Sequence, residues 1–262
     1  MNHLAELKKI GTLVRKYALL FVATTAFFFF CGIGLISLWG ISLPVPTLGN
    51  SSGSIAAETF TLLSQALIPQ GVELVVIYPI TPFAVQAQIA ATLAFVVLLP
   101  LLIATFLRHL FPALYASERL YTLVLFLPAC VLFTLGAAFA LFFVIPSTFS
   151  VLYQFAPDIG ASALFSADAF VRISLGLVVA SGVAFMLPVL MAILALCGLI
   201  SSSAFIHSWR EACVGILAFC AIITPDGSGV SMLVLATPLA LLYCLGIIAS
   251  MAVSKWSFHY QS

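Results

Sequence analysis

Two carboxylates stand out in a chain that carries almost no charge. Only 6% of its 262 residues are Asp, Glu, Lys or Arg, and 64% are hydrophobic. Glu6 lies in the segment His3-Leu4-Ala5-Glu6-Leu7-Lys8-Lys9, and Glu118 in Phe111-Pro112-Ala113-Leu114-Tyr115-Ala116-Ser117-Glu118-Arg119. A carboxylate can accept two parallel N–H bonds from one guanidinium. Two carboxylates on one side of a membrane could therefore receive an arginine pair from a partner. Each segment also has a plainer reading. Leu4, Leu7, Val14 and Tyr17 share a helical face, as in an interfacial helix whose lysines meet anionic lipid. Glu6 fits that reading poorly, since an anionic leaflet repels it. Ser117 could cap a following helix, with Glu118 favoured beside the N-terminal dipole.

Other chemistry finds little footing. There is no His-Glu-x-x-His, no Gly-x-Gly-Asp and no Gly-x-Ser-Gly within an apolar stretch, so nothing points to an enzyme. Asp226-Gly227-Ser228-Gly229 reads as a turn. No ionisable group lies near the middle of a long apolar segment, where an ion-coupled transporter usually keeps one. Gln86 and Gln88 are polar but sit near the end of theirs. Cys31, Cys130, Cys197, Cys213, Cys220 and Cys244 lie in apolar stretches without CxxC spacing, and read as small packing residues. No cofactor or metal is expected. A net charge of +1 gives no reason to expect nucleic acid.

The elements that position these groups must be membrane helices. So few charges could not cover the surface of a soluble domain of this length. A span needs about 20 apolar residues. Six segments are candidates: about 17–39, 83–107, 120–144, 169–199, 212–224 and 230–253. The fourth is long enough to need a tilt or kink, with Gly182 and Pro188 as places for it. The fifth is short for a full crossing. With alternate connections on opposite sides, Lys8, Lys9, Arg15, Lys16, Arg108, Arg119, Arg210 and Lys255 share one side, and only Arg172 of the nine basic residues does not. That side is expected to be the cytoplasm, with both termini there. Trp39, Trp209 and Trp256 fall at span ends.

The expected layout is a single polytopic domain. It has an interfacial helix over 1–16, a long external loop over 40–82 and a cytoplasmic loop over 108–119. A second external loop over 145–168, a second cytoplasmic loop over 200–211 and a cytoplasmic tail over 254–262 complete it. The basic start is not read as a signal peptide, because the apolar run after it is longer than an h-region of about 7–15 residues. Within the first external loop, 54–67 reads as a helix and 72–78 as extended chain. No internal repeat is visible, which disfavours inverted-repeat transporters.

The His3-to-Lys9 segment ahead of a first span resembles the N-terminal signature of the TatC family, the multispan core of the twin-arginine protein translocase. Further stretches match in order: Phe111-Pro-Ala-Leu-Tyr-x-x-Glu-Arg119, Phe185-x-x-Pro188, Ile223-Thr-Pro-Asp226 and Ala236-Thr-Pro-Leu-Ala-Leu-Leu-Tyr243. The resemblance covers most of the chain except the first external loop. It implies an all-α membrane protein with six spans, the last two short, in a concave glove-like shape. It implies a receptor that binds twin-arginine signal peptides of folded precursors at the cytoplasmic face. Glu6 and Glu118 would hold the arginines, and Lys8, His109, Pro112, Tyr115 and Arg119 would shape the same surface. It implies recruitment of single-span TatA-type subunits, and possibly TatB-type ones, for transport driven by the protonmotive force. Met186, Pro188, Pro225, Asp226 and Tyr243 would lie where partner helices dock, and self-association is expected.

Three positions depart from the family pattern. His109 stands where an aromatic is usual, Met186 where an intramembrane Glu is common, and Cys244 near a second usual acid. A Glu could hydrogen-bond a polar group on a partner helix and Met cannot. A scaffold subunit without receptor activity is therefore a second expectation, and a small-solute transporter or channel a third.

Overall fold

The computed structural model describes the backbone of residues 2–38, 41–48, 53–68, 73–110, 119–158, 164–225 and 229–259. They fall into two compact units. One holds Met1–Ala66, Leu74–Leu101 and Phe165–Arg172, and the other Leu67–Glu73, Leu102–Leu164 and Ile173–Ser262.

The first unit opens with α1 (Asn2–Phe30), a helix with no Pro and one Gly in its length. Two strands follow, β1 (Cys31–Leu38) and β2 (Ile41–Leu48), paired antiparallel with Cys31 opposite Leu48. This corrects two expectations. The first span ends at Phe30 rather than near residue 39, because a Gly-containing, Ile-rich stretch that is weak in helix propensity finds a pairing partner in β2. The expected interfacial helix over 1–16 is continuous with the span, since nothing in that stretch breaks the helix. The helix α2 (Ile55–Leu67) bears out the expected one within the first loop. Gly53 turns the chain at φ +83°, and the Ser54 Oγ accepts from the Ala57 N–H at 3.2 Å as an N-cap. Short strands β3 (Glu73–Val75) and β4 (Leu164–Ser166) pair with each other.

Helix α3 (Thr81–Leu110) starts in the first unit and carries Pro100 inside it. In the second unit α4 (Arg119–Phe139) leads through a π-helical turn, Ala140–Val144, into α5 (Ile145–Asp158). Pro146 has no N–H for the Phe142 carbonyl, so the preceding turn widens, and the Ile145 N–H bonds the Ala140 carbonyl instead. Thr148 and Ser147 hydroxyls donate back to the Val144 and Phe143 carbonyls and support the turn. The helix therefore continues to Asp158, where a loop over 145–168 was expected.

The fourth span is broken as its sequence implied. Helix α6 (Ala167–Phe185) stops, Met186 takes φ −74° and ψ −1°, and α7 (Leu187–Leu196) restarts with Pro188 in its first turn. Proline cannot bond the carbonyl four residues back, and its ring clashes with it. Helix α8 (Ser202–His207) is capped by Ser201, followed by α9 (Trp209–Ile223) and α10 (Val230–His259). With 15 residues, α9 extends about 22 Å, short of a hydrocarbon core of about 30 Å. The expectation that the sixth span is also short is corrected: α10 has 30 residues, because its one internal proline, Pro238, is absorbed without ending the helix.

Five helical stretches among the described residues are long and apolar enough to cross a membrane: Gly11–Phe30, Thr81–Thr105, Leu125–Tyr153, Ala167–Leu196 and Val230–Val253. Large apolar side chains such as Phe142 (74% exposed) and Ile222 (85%) lie on the outside. That is costly in water and costless in lipid. Close packing in the second unit runs through glycines. A Cβ on Gly182 would stand 2.6 Å from the Phe133 ring, and one on Gly136 would stand 2.7 Å from Phe185 Cβ and the Ser181 carbonyl. Small residues let apolar helices approach where no hydrophobic force drives them together.

Candidate functional site

Of the residues expected to hold or surround an arginine pair, those described fall at or near helix ends. Glu6 and Lys8 lie in α1, ahead of the apolar stretch that begins at Gly11. His109 is the penultimate residue of α3, and Arg119 is the first of α4. Pro112, Tyr115 and Glu118 lie outside the described residues. The eight-residue interval between Leu110 and Arg119 is thus bounded by two helices that form because their apolar runs exceed the length of a span. Glu6 and Lys8 belong to the first unit, His109 and Arg119 to the second.

The second set of residues has a described geometry. Its frame is the packing of α10 against α7, the principal helix pair of the second unit. Gly246 makes the approach possible: a Cβ there would collide with Met191 Sδ and lie 3.2 Å from Pro188 Cα. Pro188 is therefore buried within the pair. Tyr243, one turn earlier on α10, is 8% exposed. Its hydroxyl donates to the Phe205 carbonyl of α8 at 2.7 Å. Pro188 and Tyr243 thus spend their surfaces on α10 and α8, and they position this region rather than present themselves to a partner. Met186 is partly exposed at the helix break, and its carbonyl accepts from the Val189 and Leu190 N–H groups at 3.0 and 3.1 Å. At the end of α9 the Thr224 hydroxyl and N–H both bond the Cys220 carbonyl at 2.9 Å, closing the helix. Pro225 follows in the open, and Asp226 lies outside the described residues. Cys244 is exposed, so it is not the packing residue that its surroundings in sequence suggested.

Sequence reasoning missed one polar cluster in the first unit. Gln88 Nε2 donates to Asp168 Oδ1 at 2.9 Å, and the Arg172 guanidinium donates to Asp168 Oδ2. Asp168 also sits in the first turn of α6, where a carboxylate is favoured. The signal was present: a glutamine in an apolar helix wants a partner, and Asp168 and Arg172 are one helical turn apart. Among the described residues no group of His, Cys, Asp and Glu could hold a metal ion.

Comparison with known proteins places this architecture. The family model described as Sec-independent protein translocase protein (TatC) matches residues 2–238. The chain is 33% identical to the Sec-independent protein translocase protein TatC of Cenarchaeum symbiosum, over 94% of this chain and 92% of that one. It is 32% identical to the Aquifex aeolicus protein of the same name, over 73% and 80% of the two chains. A crystal structure described as the twin-arginine translocase receptor TatC superposes with a TM-score of 0.73 at 25% identity, covering 95% of this chain and 99% of that one.

Proposed function

The chain belongs to the TatC family, and from that premise, a multi-pass component of the Sec-independent protein translocase, we propose that it is the receptor subunit for twin-arginine signal peptides. In this reading the basic face is cytoplasmic, both termini lie there, and six helices cross the cell membrane with α9 as the short fifth. Glu6 and Glu118 accept the two guanidinium groups of the signal. Lys8, His109, Pro112, Tyr115 and Arg119 shape the surface around them. Binding is followed by recruitment of TatA-type single-span subunits, with TatB-type subunits and further copies of the chain as additional partners. The protonmotive force drives transport, and the subunit itself is not an enzyme.

The observation that carries the reading is the placement of Glu6. It lies on a helix that continues unbroken into a membrane-length apolar stretch, four lysines and arginines sharing that end. An anionic leaflet repels this acid, the neighbouring lysines attract it, and a guanidinium ligand reaching it adds to that attraction. The planar guanidinium fork matches a carboxylate where a lysine ammonium offers only a point charge. Binding of a precursor with an Arg-Arg signal to the solubilised protein, against the same precursor with Lys-Lys, tests it. Clear preference for Arg-Arg supports the receptor, and equal or absent binding removes it.

The docking region for partner helices is proposed around Met186, Pro225 and Asp226, with Pro188 and Tyr243 holding it in shape. Met186 and Cys244 favour a second reading, a scaffold subunit without receptor activity, since neither can offer the carboxylate usual in the family. Indifference of precursor binding to Glu118→Gln would favour that reading.

A further inference from the structure

We propose that the β1–β2 ribbon lies in the membrane interface of the leaflet opposite the basic N-terminus, with phospholipid as its partner. Three observations converge on it. First, β1 begins at Cys31, the residue after the apolar membrane-length stretch Gly11–Phe30 ends. The ribbon is thus delivered to the membrane surface by the helix that precedes it, and α1 is its principal contact outside itself. Second, residues 17–57 contain no Asp, Glu, Lys, Arg or His. A polypeptide leaving the bilayer for water ordinarily acquires charge at once. This one stays uncharged through both strands, with Ser37, Ser42 and Thr47 as their polar residues.

Third, the register puts no charge on either face, and the polar residues are Ser37 opposite Ser42 on one and Thr47 on the other. Ile33 pairs with Pro46 and Leu35 with Pro44 on one face, and Gly34 pairs with Val45 and Ile36 with Leu43 on the other. A two-stranded hairpin alone is marginal in water, and one whose two faces are both uncharged and mostly apolar has no charged side to turn to solvent. A second protein would cover a single face. An interface of lipid carbonyls and upper acyl chains can cover both.

The backbone sets the depth. Among the described residues no third strand pairs with the ribbon, and backbone edges that are not paired within a sheet are excluded from the hydrocarbon core. At the interface, water and lipid esters supply partners. Pro44 and Pro46 reinforce this, because prolines in strands occupy the outward positions of an edge. Each removes a donor that the edge of β2 would otherwise leave to be satisfied.

The test uses the full-length protein in vesicles with Trp39, Trp209 and Trp256 replaced by Phe. Single tryptophans are then introduced by Ile36→Trp or by Leu43→Trp, which are register partners toward the tip of the ribbon. Vesicles carry lipids brominated near the head of the acyl chain or near its end. Both tryptophans are expected to lose most of their emission to bromines near the head, and little to bromines near the end. No quenching from either position would show that the ribbon stands in water or is covered by protein, and would overturn the proposal. Quenching at different depths would also overturn it, since a helix continuing from α1 would separate the two positions by about 10 Å along its axis. Thr47→Trp, placed near the base of the ribbon, gives a second reading if either tip variant does not fold.

Discussion

The Tyr243 hydroxyl donates to the Phe205 carbonyl across 2.7 Å and ties the 30-residue α10 to the six-residue α8. A six-residue helix has little stability of its own, because nucleation fixes several residues for the first bond. The cap from Ser201 and the bond from Tyr243 supply what its own turns do not. Tyr243→Phe removes the hydroxyl and leaves a carbonyl that had a partner. The expected loss is about 0.5–1.5 kcal/mol, read as a lower midpoint in thermal unfolding in detergent. An unchanged midpoint would mean that water or lipid replaces the hydroxyl without cost.

The glycine contacts rank themselves. A methyl on Gly136 meets a backbone carbonyl and the Cβ of Phe185, neither of which can step aside. A methyl on Gly246 first meets the sulfur of Met191, a flexible side chain. Gly136→Ala is therefore expected to cost more than Gly246→Ala, with overpacking of about 1–3 kcal/mol at the former. Comparative unfolding in one detergent decides it, and the reverse order would show that the Pro188 backbone beneath Gly246 is the stiffer neighbour.

In the first unit, Gln88 and Asp168 join two helices through one bond at 2.9 Å. A double-mutant cycle of Gln88→Leu and Asp168→Ala should show a coupling of about 0.5–1.5 kcal/mol. The Arg172 pair is largely exposed and should add little by itself, so Arg172→Gln is expected to stay within about 1 kcal/mol of the parent. Strict additivity in the cycle would mean that the Gln88–Asp168 bond is not kept in the membrane.

For the proposed receptor, Glu6→Gln and Glu118→Gln should each weaken binding of an Arg-Arg precursor by about tenfold or more, since a charge-assisted pair is worth more than an exposed salt bridge. Their effects should not add, because one dipeptide engages both. Titrations of the single and double variants measure this. Additive losses would assign the two carboxylates to separate events.

The family resemblance was legible in loose motifs because their order carries information that each alone does not. The break before Pro188, the short α9 and the helix after Ser54 were legible for a local reason: a missing N–H, a short apolar run, an apolar face at helical spacing. Proline was a weaker guide elsewhere. Pro146 and Pro238 look alike to Pro188 in sequence, but a π-helical turn absorbs the first and the helix runs through the second. Whether a helix breaks or bends depends on what its neighbours can satisfy.

What the sequence determined by itself is that this chain lives in a membrane, since composition acts along the chain before any packing is formed. What only the tertiary structure decided is which small or polar residues meet. Gly246 against Met191, Gly182 against Phe133, Gln88 against Asp168 and Tyr243 against Phe205 are pairs far apart in sequence. In an apolar solvent no hydrophobic pattern marks the buried face of a helix, because lipid and protein interior are equally apolar. Helix pairing is then set by shape and by scattered hydrogen bonds, and these exist only once the helices are together.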